Sequence, residues 1–356
     1  MDAASRLALT DPRHVPVKDP NVFQRLGLAL INDERDLPFL GLALRFMAVI
    51  WPLAGLLYWR FSWWLAIGYT TLLFAFFFGP AILMLHNTSH RVLFKPAYRW
   101  MNHFIPWVLC PFFGQPPEGY FGHHMGMHHP ENNLEDDLST TMPYTRDRFF
   151  HFLRYWSSFM ATTIFVLPRY LSRHGRKKMG VKAVVGEMLY YAVCAVGLKF
   201  AALPTLAVFV IPYVMARFLM MWGNWGQHAF IDPAQPENPL LNSITCINVR
   251  YNRTCFNDGY HIGHHVKANR HWTDMPEDLE KNAEKYASEG AVVFQGIDFF
   301  QVSLFLFLKR YDWLADRFVE LREQPRSRDE IISFLKSRTR PVVRERQANG
   351  LAAQAA

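Results

Sequence analysis

The sequence predicts an all-α integral membrane protein: four transmembrane helices in two hairpins, with a cytosolic helical cap that carries a histidine-rich site. Three observations predict it. Two couples of long apolar runs interrupt a chain of 356 residues. Basic residues gather on the segments between and after these couples, not in their turns. Four histidine motifs fall beside the span ends, all on the side that the basic residues mark.

The elements follow in order. Residues 1–38 are a polar leader, with Asp11, Arg13, Lys18 and Asp19, read as cytosolic. Apolar runs at 39–59 and 61–85 are broken only by Arg45 and separated only by Arg60. Each approaches the ~20 residues that cross a hydrocarbon core, so they predict a tight hairpin. A second hairpin is expected at 184–198 and 201–222, turning at Lys199, with Glu187 and Arg217 inside it. Charge within a span is rare and faces the protein interior or snorkels to the interface. Arg91, Lys95, Arg146, Arg176 and Lys178 lie between the hairpins; Arg250, Arg253, Lys267 and Arg270 follow them. The positive-inside rule then places both termini and every histidine motif on the cytoplasmic face.

Three apolar stretches are shorter or more mixed. Residues 104–113, with Pro106 and Pro111, are too short to cross and are expected to dip into the membrane or lie flat. Residues 149–167 and 299–308 read as interfacial amphipathic helices. A fifth crossing at 149–167 would spoil the topology. The membrane domain is read as 39–276, a cytosolic or interfacial helical part as 277–345, and a disordered tail as 346–356.

The net charge of +8 favours anionic lipid headgroups or an acidic protein partner. Nucleic acid is the weaker reading, because the basic residues flank apolar spans and form no nucleic-acid motif. Cys110, Cys194, Cys246 and Cys255 make no CxxC pair and read as buried free thiols.

The histidine motifs are His86-Asn-Thr-Ser-His90, His123-His124-Met-Gly-Met-His128-His129, Asn224-Trp-Gly-Gln-His228 and His261-Ile-Gly-His264-His265. Neutral imidazole is a ligand for transition metals. Spacings of three and four put His86 with His90, and His261 with His264 and His265, on single helical faces. His129 is the exception. On an ideal helix it points well away from His124, so it reaches a second metal or sits on a distorted turn. One zinc needs four ligands. Nine clustered histidines suffice for two metals, and two metals beside a membrane suggest dioxygen chemistry on an apolar substrate. His14, His103, His151 and His174 are isolated and expected at the interface or in solvent. His123 and His271 are ambiguous. Glu131, Glu135, Asp136, Asp137 and Asp258 are candidates to orient ring N–H groups, as metal-bound imidazoles require. The first four read equally as a solvated loop or a donor's docking surface.

The order HxxxH, HxxxHH, HxxHH, with apolar hairpins between, resembles the membrane fatty acid desaturase family, which includes hydroxylases and ketolases. The resemblance covers roughly residues 39–276. It implies a cytosolic di-iron site with His86, His90, His124, His128, His129, His228, His261, His264 and His265 as ligands, and Asn224 acting through a water. It implies oxygen-dependent desaturation of a fatty acyl chain, carried on lipid or CoA. The spacing of the second motif is nearer the acyl-lipid branch. No haem motif of a fused cytochrome and no cysteine cluster appears, so a separate electron donor of ferredoxin, rubredoxin or cytochrome b5 type is expected. Phe112, Phe113, Tyr120 and Phe121 are candidate tunnel walls, and Arg250 and Arg253 candidate headgroup contacts. The rival outcome is hydroxylation or ketolation of a lipid or carotenoid. A histidine-rich metal transporter is the remote alternative, because transporters place ligands inside the bilayer rather than at span ends.

Overall fold

The computed structural model describes residues 7–342, so the tail expected at 346–356 lies outside them. Among the described residues four helices are long and apolar enough to cross a membrane: Glu34–Trp59, Trp63–His90, Lys177–Phe200 and Ala202–Gln227. At 24 to 28 residues each, they exceed ~20 residues and the ~30 Å of a hydrocarbon core. Many of their apolar side chains face outward. Trp59, Trp63, Trp64 and Phe200 are highly exposed where the first span meets the second and the third meets the fourth. Exposed aromatics at span ends are typical of a membrane–water interface.

The second span outlasts its apolar run. It continues as helix to His90, so the first histidine motif stands on its last turns. The fourth runs to Gln227, with His228 as its C-cap. The helix Phe149–Arg173 is 25 residues long but is not among the four candidate spans. It buries one stripe, Phe152, Tyr155, Phe159, Leu167, Tyr170 and Leu171, and exposes Phe150 and Phe165. That one-sided pattern is what an amphipathic helix requires.

The proline-broken stretch dips among the spans. Ile105–Leu109 is a π turn and Cys110–Phe113 a 3-10 turn. Ile105, Leu109, Cys110 and Phe113 are buried in the span core, with the Phe113 ring 5.8 Å from Phe46. Gly114 then turns the chain at φ 82°, where a Cβ would sit 2.1 Å from the Pro212 carbonyl. Only glycine fits that approach.

Beyond the spans the chain is not purely helical. Ile244–Ile247 pairs in parallel with Val292–Gln295, Ile244 opposite Val292. All but Gln295 of these two strands is buried. The pair joins the two ends of the segment that carries the third histidine motif. Gly259 carbonyl accepts from Cys246 N–H at 2.7 Å, fastening the approach to that motif. The leader is also tied down here. Asp11 Oδ2 accepts from the Tyr260 hydroxyl and from Asn248 N–H, each at 2.7 Å.

Arg146 departs from its expected role as a membrane-flanking charge. It is fully buried. Its guanidinium donates to the carbonyls of Ala229, Tyr144, Arg338 and Arg340, among others. A five-donor fork suits this hub. It joins the central segment, the end of the fourth span and the C-terminal helix Arg328–Arg338.

Candidate metal centre

The nine predicted histidines gather into two groups, within each of which the possible ligand atoms lie within 4.8 Å of one another. The first holds His86, His90, His124, His129 and His264; the second holds His128, His228, His261 and His265. The adjacent pairs are therefore split. His128 and His129 go to different groups, and so do His264 and His265.

Local helix type decides the split. His261–Val266 is an α-helix, so the single face expected for its three histidines divides: His265 stands about 40° to one side of His261 and His264 about 60° to the other, far enough for them to serve different groups. His124–His128 is a π turn, closed by the bond from His129 N–H to the His124 carbonyl. A π turn brings residues five apart into register. His129 thus stands over His124, and His128 turns to the other group. The distorted turn is the alternative that holds.

The geometry tests whether cations fit. In the first group the Nε2 atoms of His86 and His264 are 3.0 Å apart, those of His90 and His124 2.9 Å, and those of His129 and His264 3.0 Å. In the second, His261 Nε2 lies 3.2 Å from His228 Nε2 and 3.0 Å from His265 Nε2. Nitrogens about 2.1 Å from a shared ion, at right angles, stand about 3.0 Å apart. A neutral imidazole has one N–H, and in two rings of the second group it is used on the far side. His128 Nδ1 is 2.7 Å from Asp137 Oδ2, and His228 Nδ1 is 2.8 Å from the Asn242 carbonyl. Both partners can only accept, so these rings donate at Nδ1 and present Nε2 lone pairs inward. Ring nitrogens converging at this spacing, with the His128 and His228 lone pairs aimed inward, form the arrangement in which a cation would be held. Burial, reinforced by the neighbouring histidines, holds His124, His261, His264 and His265 well below the ordinary imidazole range. They are neutral, as metal ligands must be. The residues present therefore fit two metal ions.

Charge around these neutral rings comes from two carboxylates. Asp137 is buried, accepts from His128, and is itself held by Ser139 N–H and Oγ at 2.8 and 2.7 Å. Asp258 Oδ1 lies 3.4 Å from His86 Nδ1, while its Oδ2 accepts from the Tyr251 hydroxyl at 2.8 Å. Of the four acids after the second motif Asp137 reaches the histidines; Glu135 and Asp136 are exposed and Glu131 accepts from Tyr170. His123 stays outside both groups, its Nε2 3.7 Å from Asp137 Oδ1. His271 is also outside; it bonds Asp36 at 3.0 Å and Thr273 at 2.8 Å. Asn224 donates to the Ser139 carbonyl at 2.9 Å and to the Tyr155 hydroxyl at 2.7 Å. The supporting roles of Ser139, Tyr155 and Asn242 carry no sequence signal, since each partner is supplied by tertiary folding.

A cavity of about 350 Å³ leads to this site. Phe74, Phe78, Ile82 and His86, four apart along the second span, line one side; Met220, Met221 and Asn224 of the fourth line another. His124, His128 and His261 also reach it. Of the four expected tunnel aromatics only Tyr120 lines it, and Phe113 lies instead in the span core. Arg250 and Arg253 are exposed and do not line it.

The sequence profile of the fatty acid desaturase family matches residues 62–296, most of the chain and all nine histidines. The chain belongs to the fatty acid desaturase family. Neither curated proteins nor solved structures gave a significant match. Membership supports an oxidoreductase of desaturase type, and the four apolar helices are compatible with an integral membrane protein. For this desaturase-family protein the two histidine groups are consistent with a two-metal site.

Proposed function

We propose that the protein is an oxygen-dependent desaturase of fatty acyl chains, with nine histidines holding two iron ions and Asn224 contributing through a water. The observation that carries this reading is the two converging histidine groups at one end of a largely apolar cavity between the second and fourth spans. Iron bound there supplies dioxygen activation and removal of hydrogen from adjacent methylenes, with electrons from a separate donor of ferredoxin, rubredoxin or cytochrome b5 type.

The chain's own residues supply placement. An unactivated methylene offers no charge or hydrogen bond to grip. Selectivity must come from holding one carbon near the histidines in a dry, shaped channel. Phe74, Phe78 and Ile82 form that wall, Phe74 from the π turn Leu73–Phe77 and the other two from the α-helix that follows it. Asp137 and Asn242 hold the rings of His128 and His228 at Nδ1, which fixes the direction of their Nε2 lone pairs. The basic segments between and after the span pairs support a cytoplasmic face for the histidine end and both termini. A cytosolic donor then meets the partly exposed His90, His129 and His265 edge of the site.

Fatty-acid profiling of a host making this chain, beside a His129→Ala variant, tests the reading. A new alkene that needs the intact motif supports it. An added hydroxyl or carbonyl without an alkene replaces it with the oxygen-inserting alternative. Metal flux without oxygen consumption would favour a transporter.

A further inference from the structure

The cavity has a second polar feature, well away from the histidines. Glu187 of the third span and Arg217 of the fourth both line it. Arg217 Nη2 lies 2.9 Å from each carboxylate oxygen of Glu187. The hydroxyls of Tyr191 and Tyr213 donate to Glu187 Oε1 at 2.6 and 2.7 Å. The Tyr213 ring lies 4.1 Å from the guanidinium carbon.

The position of the pair is unusual. Glu187 is about ten residues from the start of the third span, and Arg217 about ten from the end of the fourth. At 1.5 Å per residue both sit ~15 Å from the histidine-side ends, near the middle of a ~30 Å core. Taking two charges out of water costs more than their attraction usually returns, so well-packed apolar residues would join the spans as well. Intramembrane charge of this kind marks a function.

Its hydrogen bonding is incomplete toward the cavity. Among the described residues, Arg217 donates only through Nη2, and no acceptor meets its Nε or Nη1. Glu187 Oε2 accepts only from Arg217, whereas Oε1 accepts from three groups. The side chain of Gln115 lines the same end, and Gly119 leaves that end open; a Cβ there would be 3.6 Å from Glu187 Oε2. A free donor beside a free acceptor is the complement of a hydroxyl group. The pair is neutral overall, so a carboxylate ligand would meet the Glu187 charge. Arg217 and Asn224 are seven residues apart, two turns on one helix face, or ~10 Å.

We infer that Glu187 and Arg217 are the receptor for a hydroxyl group on the substrate chain, held about 10 Å from the carbon presented to the histidines. The inference rests on the functional reading above, in that the cavity is taken as the substrate channel. It makes the substrate an oxygenated lipid chain rather than a plain acyl tail at this depth.

The test uses metal-loaded full-length protein in phosphatidylcholine nanodiscs, without reductant. The probes are octadecane, octadecanoic acid and a series of octadecanols with the hydroxyl moved along the chain. Affinities are measured by competition against radiolabelled octadecanol, with probe amounts expressed as mole fraction in lipid. At least one octadecanol should bind about tenfold tighter than octadecane, the scale of one hydrogen bond to a charged group. The paired variant Glu187→Leu/Arg217→Met should lose that preference. Equal binding of octadecane and every octadecanol by the unaltered protein overturns the inference, whether or not the variant folds. So does tighter binding of the acid than of any alcohol, or a preference that survives in the folded variant. A hydroxyl preference with no chain oxidised once reductant and dioxygen are added supports the receptor and removes the desaturase reading.

Discussion

The second and third histidine motifs do the same geometric task with different spacing. Each places two rings in one group and one in the other. The third does so with His261, His264 and His265 on an ordinary α-helix. The second has one more residue between its first histidine and its pair, and a π turn at His124–His128 absorbs it. The difference teaches that ligand spacing in sequence is not ligand direction in space. Direction depends on the helix type that the surrounding packing imposes.

The comparison can be broken most severely in the third motif. Deleting Gly263 rotates His264 and His265 by about 100° relative to His261. Bound iron and turnover should both fall to background, read by metal analysis and product assay. If Gly263 deletion left iron bound, the α-helical frame would not be what aims these ligands.

The supporting carboxylate gives a smaller effect. Asp137→Asn keeps the shape but removes the charge that accepts from His128 Nδ1. Metal affinity of the four-histidine group should fall about 10- to 100-fold, measured by chelator competition, with the five-histidine group little changed. Equal weakening of both groups would mean that Asp137 supports the fold rather than one ligand.

The smallest effect should come from deleting Met125. That deletion turns the second motif into the spacing of the third and lets the π turn relax to an α turn. His124 and His129 then stand four apart and still share a face, so two ions per chain should persist with altered affinity. Complete loss of metal would show that the π turn is needed for more than register.

Much of this arrangement was legible in the sequence, and the illegible part has a physical cause. The four spans follow from length and apolarity, which burial in lipid selects strongly. The nine ligand candidates follow from residue type, because few other roles cluster imidazole at span ends. The division of His128 from His129 was not legible, since it rests on one i→i+5 hydrogen bond. The strand pair Ile244–Ile247 with Val292–Gln295 was missed because its partners lie far apart in sequence and each is short. Arg146 read as a membrane-flanking charge because nothing local shows the carbonyls that surround it. Residues 104–113 read as dipping or lying flat, and the choice between the two rests on the Gly114 turn against Pro212, a contact no local pattern contains.

The central claim is that the nine histidines form two separate metal sites divided within adjacent pairs. Iron stoichiometry and Mössbauer spectra of anaerobically purified protein test it most directly, for the unaltered chain and for His128→Ala and His129→Ala. The account predicts about two irons per chain, and a different iron subsite weakened in each variant although the altered residues are neighbours. Identical spectra from the two variants, or a single iron in the unaltered protein, would contradict it.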